Sequence, residues 1–387
     1  MKLEHQTRAF EQVLNTYDGQ SPLHRFLFSY FKQHKQMGSS DRRWASRYLY
    51  SYFRLGKALH RTDRLLRLAI ADFLCNQTSS LAISHYLPQF ADQLLLPVQE
   101  KLTLVQDAFP EFNLADVFPF AHELSNEIDK TAFLQSFFTQ PDLFIRVKPE
   151  HHRQLFDQLV QAGVAVSEIN DRSFALPNGT KLEHLLKDQQ QYQVQDLSSQ
   201  KTGEYFLPET YDYWWDCCAA SGGKSLLLHS MAPKIQLLVS DVRENSLHNL
   251  DERFQAAGLK KYQKKVLDLQ LNNEQDLHDY SFDGILLDAP CTGSGTWGRT
   301  PEMLCHFEEH KVAFFAGLQK TIATNVLKYL KPGKPLIYIT CSVFKSENED
   351  VVNELLAQLP LKLESMQSIT GYNDKADTMF IARLIKQ

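Results

Sequence analysis

The sequence has few cysteines and no long apolar run. No stretch of about eighteen apolar residues occurs, which excludes a transmembrane helix. The residues from Met1 to Arg8 lack the apolar core of a secretory signal. The six cysteines include no Cys-x-x-Cys pair, and the adjacent Cys217 and Cys218 are poorly placed for a disulfide or a zinc site. We therefore expect a reduced, cytoplasmic protein with no membrane partner.

Neither sign of charge dominates the chain. Its 41 Lys and Arg residues stand against 46 Asp and Glu, a net charge of −5. A nucleic-acid partner would thus need a local basic patch rather than a global positive charge. The 14 histidines show no His-Glu-x-x-His spacing, so we expect no metal. A length of 387 residues with 43% apolar content is enough for two or three domains, and nothing demands more than a monomer.

Residues 1–135 are predicted to form a helical domain, because Leu, Phe and Ala recur there at three- and four-residue spacing. Within it, a basic stripe follows the cap-like Ser39 and Ser40 on one predicted helical face: Arg43, Arg47, Arg54, Lys57 and Arg61. Two interpretations remain open for this stripe. It contacts RNA phosphates, or it is a solvated face over an aromatic core.

The remainder of the chain contains two regions with different sequence patterns. Residues 136–203 are predicted to form a small α/β module, with a strand after Gln140, a helix over 150–162 and strands around 164–169 and 173–176. In residues 204–387, strands and helices alternate, which predicts a doubly wound parallel sheet. The predicted strands are 213–217, 235–240, 262–267, 282–287 and 335–339, with two more near 361–365 and 380–385.

A glycine-containing turn follows the first strand of this sheet, in Asp-Cys-Cys-Ala-Ala-Ser-Gly-Gly-Lys-Ser over residues 216–225. Small residues at a helix start let a ligand approach the backbone closely. Gly223-Lys224-Ser225 imitates the end of a phosphate loop, but that motif needs glycine where Cys218 stands. An ATPase is therefore disfavoured.

Aspartates end three successive strands of the predicted sheet: Asp241, Asp268 and Asp288. A lone aspartate after a strand is usually a helix cap. The ordered series favours a bound nucleoside instead, because strand-end carboxylates can pair with ribose hydroxyls and base amines. No cluster of phosphate-binding cations accompanies the series, which favours S-adenosylmethionine over a dinucleotide.

Two cysteines also follow predicted strands, Cys291 in Asp-Ala-Pro-Cys-Thr-Gly-Ser-Gly and Cys341 in Thr-Cys-Ser. Ligands of parallel sheets bind at the carboxyl ends of strands, so both thiols are expected to face one crevice. Two thiols aimed at one substrate indicate covalent chemistry, in which one attacks and the other assists release. The alternative for either thiol alone is a small buried core residue.

The motifs resemble those of the RsmB/NSUN family of RNA cytosine-C5 methyltransferases. The matching segments cover 194–200, 216–224, 288–295, 299–302, 330–333, 340–342 and 346–349. The resemblance implies a class I methyltransferase domain with a Rossmann-like doubly wound sheet, preceded by an RRM-like module and a NusB-like helical RNA-binding domain. The chain departs from the family pattern at Ser221, Lys334 and Cys305, where proline, glycine and tryptophan are usual.

The resemblance also implies roles for residues. Cys341 would add to C6 of a cytosine, Cys291 would assist release, and Asp288 would bind the base edge. S-adenosylmethionine would lie against residues of the glycine turn and the strand ends: Cys218, Ala219, Ala220, Ser221, Gly222, Gly223, Lys224, Asp241, Arg243, Asp268 and Asp288. Gln200 and Arg299 would position RNA, or would instead fix loops by hydrogen bonds.

Several alternatives stay open at this point. A DNA cytosine-C5 methyltransferase would use Cys291 as nucleophile and would not need Cys341. An amino-group methyltransferase would carry an Asn/Asp-Pro-Pro-Tyr tetrapeptide, which the chain lacks. A non-catalytic RNA-binding protein could keep the fold as a scaffold. Among RNA substrates, the NusB-like resemblance favours 16S ribosomal RNA, with transfer RNA as the alternative.

Overall fold

The computed structural model describes residues 3–387, and residues 3–140 contain α-helices joined by turns and loops. Their helices are α1 Leu3–Thr16, α2 Leu23–Gln33, α3 Ser39–Arg54, α4 Arg64–Cys75, α5 Leu81–Tyr86, α6 Val98–Ala108 and α7 Lys130–Ser136. Local sequence explains where α4 starts. Asp63 accepts hydrogen bonds from the backbone N–H groups of Leu65 and Leu66, both at 3.0 Å, and so caps this helix. The prediction of a helical N-terminal region is confirmed.

A small antiparallel sheet follows. Its elements run in the order strand, helix, strand, strand, helix, strand: β1 Leu143–Val147, α8 His152–Gln161, β2 Ser167–Asn170, β3 Ser173–Leu176, α9 Leu182–Leu185 and β4 Tyr192–Val194. The four strands pair in the order β2-β3-β1-β4. Strand β4 was not predicted, because three residues are too few to show an alternating pattern.

A seven-stranded sheet occupies the C-terminal half, in the order β10-β11-β9-β8-β5-β6-β7. Its strands are β5 Tyr213–Asp216, β6 Gln236–Asp241, β7 Gln263–Val266, β8 Gly284–Asp288, β9 Pro335–Thr340, β10 Leu361–Ile369 and β11 Met379–Lys386. The helices of this half are α10 Leu197–Lys201, α11 Gly223–Met231, α12 Glu244–Ala257, α13 Glu274–Leu277, α14 Met303–His306, α15 His310–Leu327 and α16 Glu349–Gln358.

The prediction of a doubly wound parallel sheet was wrong at one edge. Strands β5 to β9 pair in parallel, but β11 runs antiparallel to both β9 and β10. The reason is the connection: residues 370–378 join β10 to β11 with only the short 3-10 helix Gly371–Asp374, and a parallel pair needs a longer crossover. The sheet is therefore mixed.

The chain forms two compact units that are not contiguous in sequence. Unit 1 contains the chain up to His122 together with Asp129–Gln140 and Thr296–Glu309, and unit 2 contains Glu123–Ile128, Pro141–Gly295 and His310–Gln387. Thr296–Glu309 interrupts the predicted catalytic segment because its Trp297 is buried among aromatic rings of unit 1, 5.6 Å from the Phe118 ring centroid. The boundaries at 135/136 and 203/204 stay a prediction.

Across residues 3–387, no helix has the length and apolar character that a bilayer crossing requires.

Candidate functional site

The site of interest lies in unit 2, where the parallel strands of the large sheet end. Strand order reverses at β5, which pairs with β6 on one side and β8 on the other. Such a reversal opens a crevice beyond the carboxyl ends of the strands. Asp216, Asp241 and Asp288 each end one of these strands, and Cys341 follows β9 directly.

A cavity of about 580 Å³ opens at this rim, a size that suits a nucleoside-sized ligand. It is lined by backbone and side chains from the strand ends and the following loops, among them Cys218, Ala220, Asp241, Arg243, Asp268, Asp288, Cys291 and Cys341. Residues predicted separately from different motifs thus meet in one space.

The two thiols are neighbours. The Sγ atoms of Cys291 and Cys341 lie 3.4 Å apart, and both cysteines are free. The expectation that they face one crevice is confirmed. The hydrogen bond with Cys341, followed by burial, raises the pKa of Cys291 well above its ordinary value. Cys291 therefore keeps its proton beside Cys341 at neutral pH.

Lys224 fixes the carboxylate at the end of β8. Its Nζ donates to Asp288 Oδ2 at 2.6 Å, and the lysine is only 8% exposed. Burial by itself lowers the pKa of Lys224, but the charge of Asp288 outweighs it and the net shift is upward. The ammonium therefore stays charged and holds Asp288 at the cavity wall.

The glycine turn is folded as a cradle at the start of α11. Ala220 and Gly222 have φ of +46° and +77°, and a Cβ at Gly222 would collide with the Phe254 ring. The Ala220 N–H donates to Asp241 Oδ2 at 3.0 Å, which ties the turn to the end of β6.

Asp241 and Asp268 occupy the predicted places beside the turn. Arg243 donates to Asp241 Oδ1 from its backbone N–H and its Nε, at 2.9 and 3.1 Å. The Gln270 N–H donates to Asp268 Oδ1 at 3.0 Å, so this aspartate both caps its loop and lines the cavity. Six of the predicted cofactor residues line this cavity: Cys218, Ala220, Asp241, Arg243, Asp268 and Asp288. The other five, Ala219, Ser221, Gly222, Gly223 and Lys224, are not among its lining residues, and contacts of any of them with a ligand stay a prediction.

Sequence reasoning did not select Glu347 as a site residue. This buried glutamate accepts hydrogen bonds from the backbone N–H and the hydroxyl of Thr292, at 2.9 and 2.5 Å, and from the Ser342 hydroxyl. Thr292 and Ser342 are the residues that directly follow the two cysteines. The available signal was the motif Ser-Glu-Asn-Glu over 346–349, whose second residue it is.

The predicted RNA-contacting stripe was wrong at Arg54. This arginine is 2% exposed, and its guanidinium donates to Phe137 O at 2.5 Å and to Gly298 O at 2.8 Å. Arg47 is held by Asp72 at 2.8 Å, whereas Arg43 is exposed on the same helix. The helical period placed these residues on one face but could not tell which part of that face is covered. RNA contact by Arg43 and Arg47 stays a prediction.

Gln200 is a buried residue of unit 2. Its side-chain oxygen accepts from the Ser173 hydroxyl at 2.7 Å, and its amide donates to Gln195 O at 2.9 Å. With both ends engaged, the loop-fixing interpretation is the one its contacts favour. Arg299 belongs to unit 1 and is partly exposed, and its role toward RNA stays a prediction.

Comparison with known proteins gives a consistent result. Residues 205–385 match the family model described as 16S rRNA methyltransferase RsmB/F. The ribosomal RNA small subunit methyltransferase B of Klebsiella pneumoniae (strain 342) is 33% identical over 207 residues, which cover 50% of this chain and 46% of the relative. The protein of the same description from Salmonella arizonae is 34% identical over 208 residues. The chain spans about half the length of the curated relatives it matches.

Solved structures share the fold. The crystal structure of PH0851 covers 100% of this chain with a TM-score of 0.73 at 21% identity. The structure of NSun6 from Pyrococcus horikoshii with SFG covers 69% with a TM-score of 0.61 at 18% identity.

Proposed function

We propose that this chain methylates C5 of a cytosine in small-subunit ribosomal RNA, because residues 205–385 match the family model of 16S rRNA methyltransferase RsmB/F. The observation that carries the proposal is the pair of thiols 3.4 Å apart on one cavity. Cytosine C5 is a weak nucleophile, and a thiol that adds to C6 activates it.

The residues at the cavity fit S-adenosylmethionine as the methyl donor. Asp241 and Asp268 offer carboxylates for ribose hydroxyls and an adenine amine, and the left-handed turn at Ala220 and Gly222 lets a ligand approach the backbone. When bound, this cofactor supplies a methyl group on a sulfonium. Lys224 holds Asp288, the carboxylate proposed to bind the N3/N4 edge of the target base.

Cys341 is the proposed nucleophile. Its thiolate forms a bond to C6, and the C5=C6 electron pair moves to C5. That pair then bonds to the methyl group while the methyl–sulfonium bond breaks, and its electron pair stays on the departing sulfide. A base removes the C5 proton, the C–H electron pair restores C5=C6, and the S–C6 bond breaks to return the thiolate.

Cys291 is the proposed residue for release. The hydrogen bond with Cys341 is the largest cause of the raised pKa of Cys291. Once Cys341 is bonded to C6 this hydrogen bond is lost, and the largest cause of the raised pKa of Cys291 is removed. Cys291 then loses its own proton to solvent, and the resulting thiolate accepts the C5 proton.

We propose that two regions of the chain bind RNA. The small sheet has the strand order and the strand–helix–strand–strand–helix–strand sequence of an RRM-like module, and we propose this identity for it. We propose a NusB-like RNA-binding role for the helices of unit 1.

Substitution of each thiol tests the proposal. We expect Cys341→Ala to lower methyl transfer from tritiated S-adenosylmethionine to ribosomal RNA by at least about a thousandfold, because no adduct forms. We expect Cys291→Ala to lower turnover by about a hundredfold and to accumulate a covalent protein–RNA band on denaturing gels.

Cys305→Ala is the matched control, since this cysteine lies in unit 1 with its Sγ 3.2 Å from Gly56 O. A Cys341→Ala protein that still forms adducts would assign the nucleophile to Cys291 and reject this mechanism. Bisulfite sequencing of ribosomal and transfer RNA from a deletion strain identifies the substrate, and loss of a transfer-RNA site alone would reject the ribosomal assignment.

A further inference from the structure

Glu347 connects the two loops that carry the thiols. Its Oε1 accepts from the Thr292 N–H at 2.9 Å and from Gln319 Nε2 at 3.0 Å. Its Oε2 accepts from the Thr292 hydroxyl at 2.5 Å and from the Ser342 hydroxyl. A single carboxylate therefore holds the residue after Cys291 and the residue after Cys341.

We infer that Glu347 is a positioning residue that sets the separation of the Cys291 and Cys341 thiols. The effect of Glu347 on turnover rests on the proposed function. The effect of Glu347 on the distance between the two thiols does not. Each loop is a short irregular segment beyond a strand, and irregular segments take their geometry from side-chain hydrogen bonds where the sheet no longer supplies them.

The burial of Glu347 makes this link specific. The residue is 0% exposed, and a buried carboxylate is stable only when hydrogen bonds replace its hydration. Four donors do so here, and two of them come from the backbone and side chain of Thr292. Loss of the carboxylate removes the acceptor of the buried Thr292 N–H. The Thr292 and Ser342 hydroxyls keep only their longer contacts with each other and with Ser294, at 3.1 to 3.3 Å, so the Cys291 loop must move to find another acceptor.

Glu347 is itself held against the strand that precedes Cys341. The Tyr338 hydroxyl donates to Glu347 O at 2.6 Å, and the neighbouring Asn348 accepts from the Thr340 hydroxyl at 2.6 Å and donates to Ser342 O at 2.9 Å. The carboxylate is thus fixed relative to β9. Its hydrogen bonds with Thr292 fix the Cys291 loop relative to the same strand.

Glu349 supplies the matched comparison two residues away. It is also buried, and it accepts from the Ser125 hydroxyl at 2.8 Å and the Asn126 N–H at 3.0 Å. These partners belong to a different segment of unit 2. Replacement of either glutamate would disturb packing in general. Only replacement of Glu347 is expected to change the distance between the two thiols.

The test measures capture of phenylarsine oxide, which forms two As–S bonds with a close pair of thiols and releases its oxygen as water with the two thiol protons. Cys291→Ala gives the baseline for uptake by other thiols. We expect Glu347→Ala to weaken capture at least tenfold and Glu349→Ala to change it less than threefold. We expect Glu347→Gln to restore capture, because hydroxyl groups can accept from its amide.

Steady-state kinetics supply a second readout: kcat of Glu347→Ala falls while KM for RNA stays within twofold. Capture of wild-type strength in Glu347→Ala, or equal losses in both glutamate variants, overturns the inference. If Glu347→Ala does not fold, Ser342→Ala replaces it, and unchanged capture in that variant also overturns the inference. Capture needs neither RNA nor cofactor, so a chain without methyl transfer that still depends on Glu347 upholds the inference and rejects the proposed function.

Discussion

At the residue scale, Asp216 shows how the fold sets the charge of the site. The Ser225 hydroxyl donates to its Oδ2 at 2.6 Å, and among the residues described no donor reaches its buried Oδ1. Burial raises the pKa of Asp216 to about 7 from its ordinary 3.8. The ionised form is therefore costly in the folded state.

This shift predicts a pH dependence of stability. Between pH 3.8 and about 7 the folded chain holds a proton at Asp216 that the unfolded chain has lost, so the free energy of unfolding decreases as pH rises through that window. We expect Asp216→Asn to remove this decrease. Relative to wild type, the free energy of unfolding of the variant should therefore rise by a few kcal/mol between pH 4.5 and pH 8, at about 1.4 kcal/mol per pKa unit. Urea unfolding at pH 4.5 and pH 8 measures it. A difference that is the same at both values would contradict the burial argument.

At the element scale, α2 depends on a residue far away in sequence. Its N-cap position is Pro22, which provides no side-chain acceptor, and Glu302 Oε1 accepts from the Leu23 N–H at 2.9 Å instead. Both residues lie in unit 1. The motif Arg-Thr-Pro-Glu over 299–302 therefore contains a cap for a helix of the N-terminal region.

Removal of this cap is expected to weaken unit 1. Glu302→Ala should lower its free energy of unfolding by about 1–2 kcal/mol, the usual effect of losing an N-cap acceptor. Glu302→Gln keeps an acceptor oxygen, and its free energy of unfolding should lie close to that of the wild type. Burial raises the pKa of Glu302, which shows that its charged form is costly there, and the glutamine carries no charge. Urea unfolding monitored by tryptophan fluorescence compares the two. Equal destabilisation by Gln and Ala would show that the charge, not the cap, matters.

At the scale of the whole molecule, unit 1 needs a segment that the chain supplies only after most of unit 2. Trp297 is 1% exposed, and Phe307 lies beside it with ring centroids 4.7 Å apart. Phe118 and Phe120 pack against the same tryptophan. The aromatic core of unit 1 is thus incomplete without Thr296–Glu309.

A fragment of residues 1–140 is therefore expected to be less stable than unit 1 in the full chain by at least about 3 kcal/mol, the scale of losing one buried tryptophan. A synthetic peptide of residues 296–309 should raise its unfolding midpoint, and a peptide with Trp297→Ala should not. Thermal unfolding followed by circular dichroism gives both results. A fragment that melts at the same temperature with and without peptide would show that its core is already complete.

Much of the fold was predictable from local pattern. The strand predicted at 213–217 is β5, Tyr213–Asp216, and that predicted at 335–339 is β9, Pro335–Thr340. Apolar runs bounded by turn residues carry that information within a few positions. The meeting of Cys291 and Cys341 was also predictable, because adjacent parallel strands deliver their ends to one rim.

The sequence by itself determined most of the elements and the shared rim on which Cys291 and Cys341 lie, because these rest on local residue patterns or on the rule that ligands bind at the carboxyl ends of parallel strands. Only the tertiary structure decided the antiparallel edge of the sheet, the transfer of Thr296–Glu309 to unit 1, the burial of Arg54 and the position of Glu347 between two loops. Each of these depends on partners distant in the chain. A residue's type and spacing do not state which distant backbone will cover it or which donors will reach it, and burial and hydrogen bonding then decide its role.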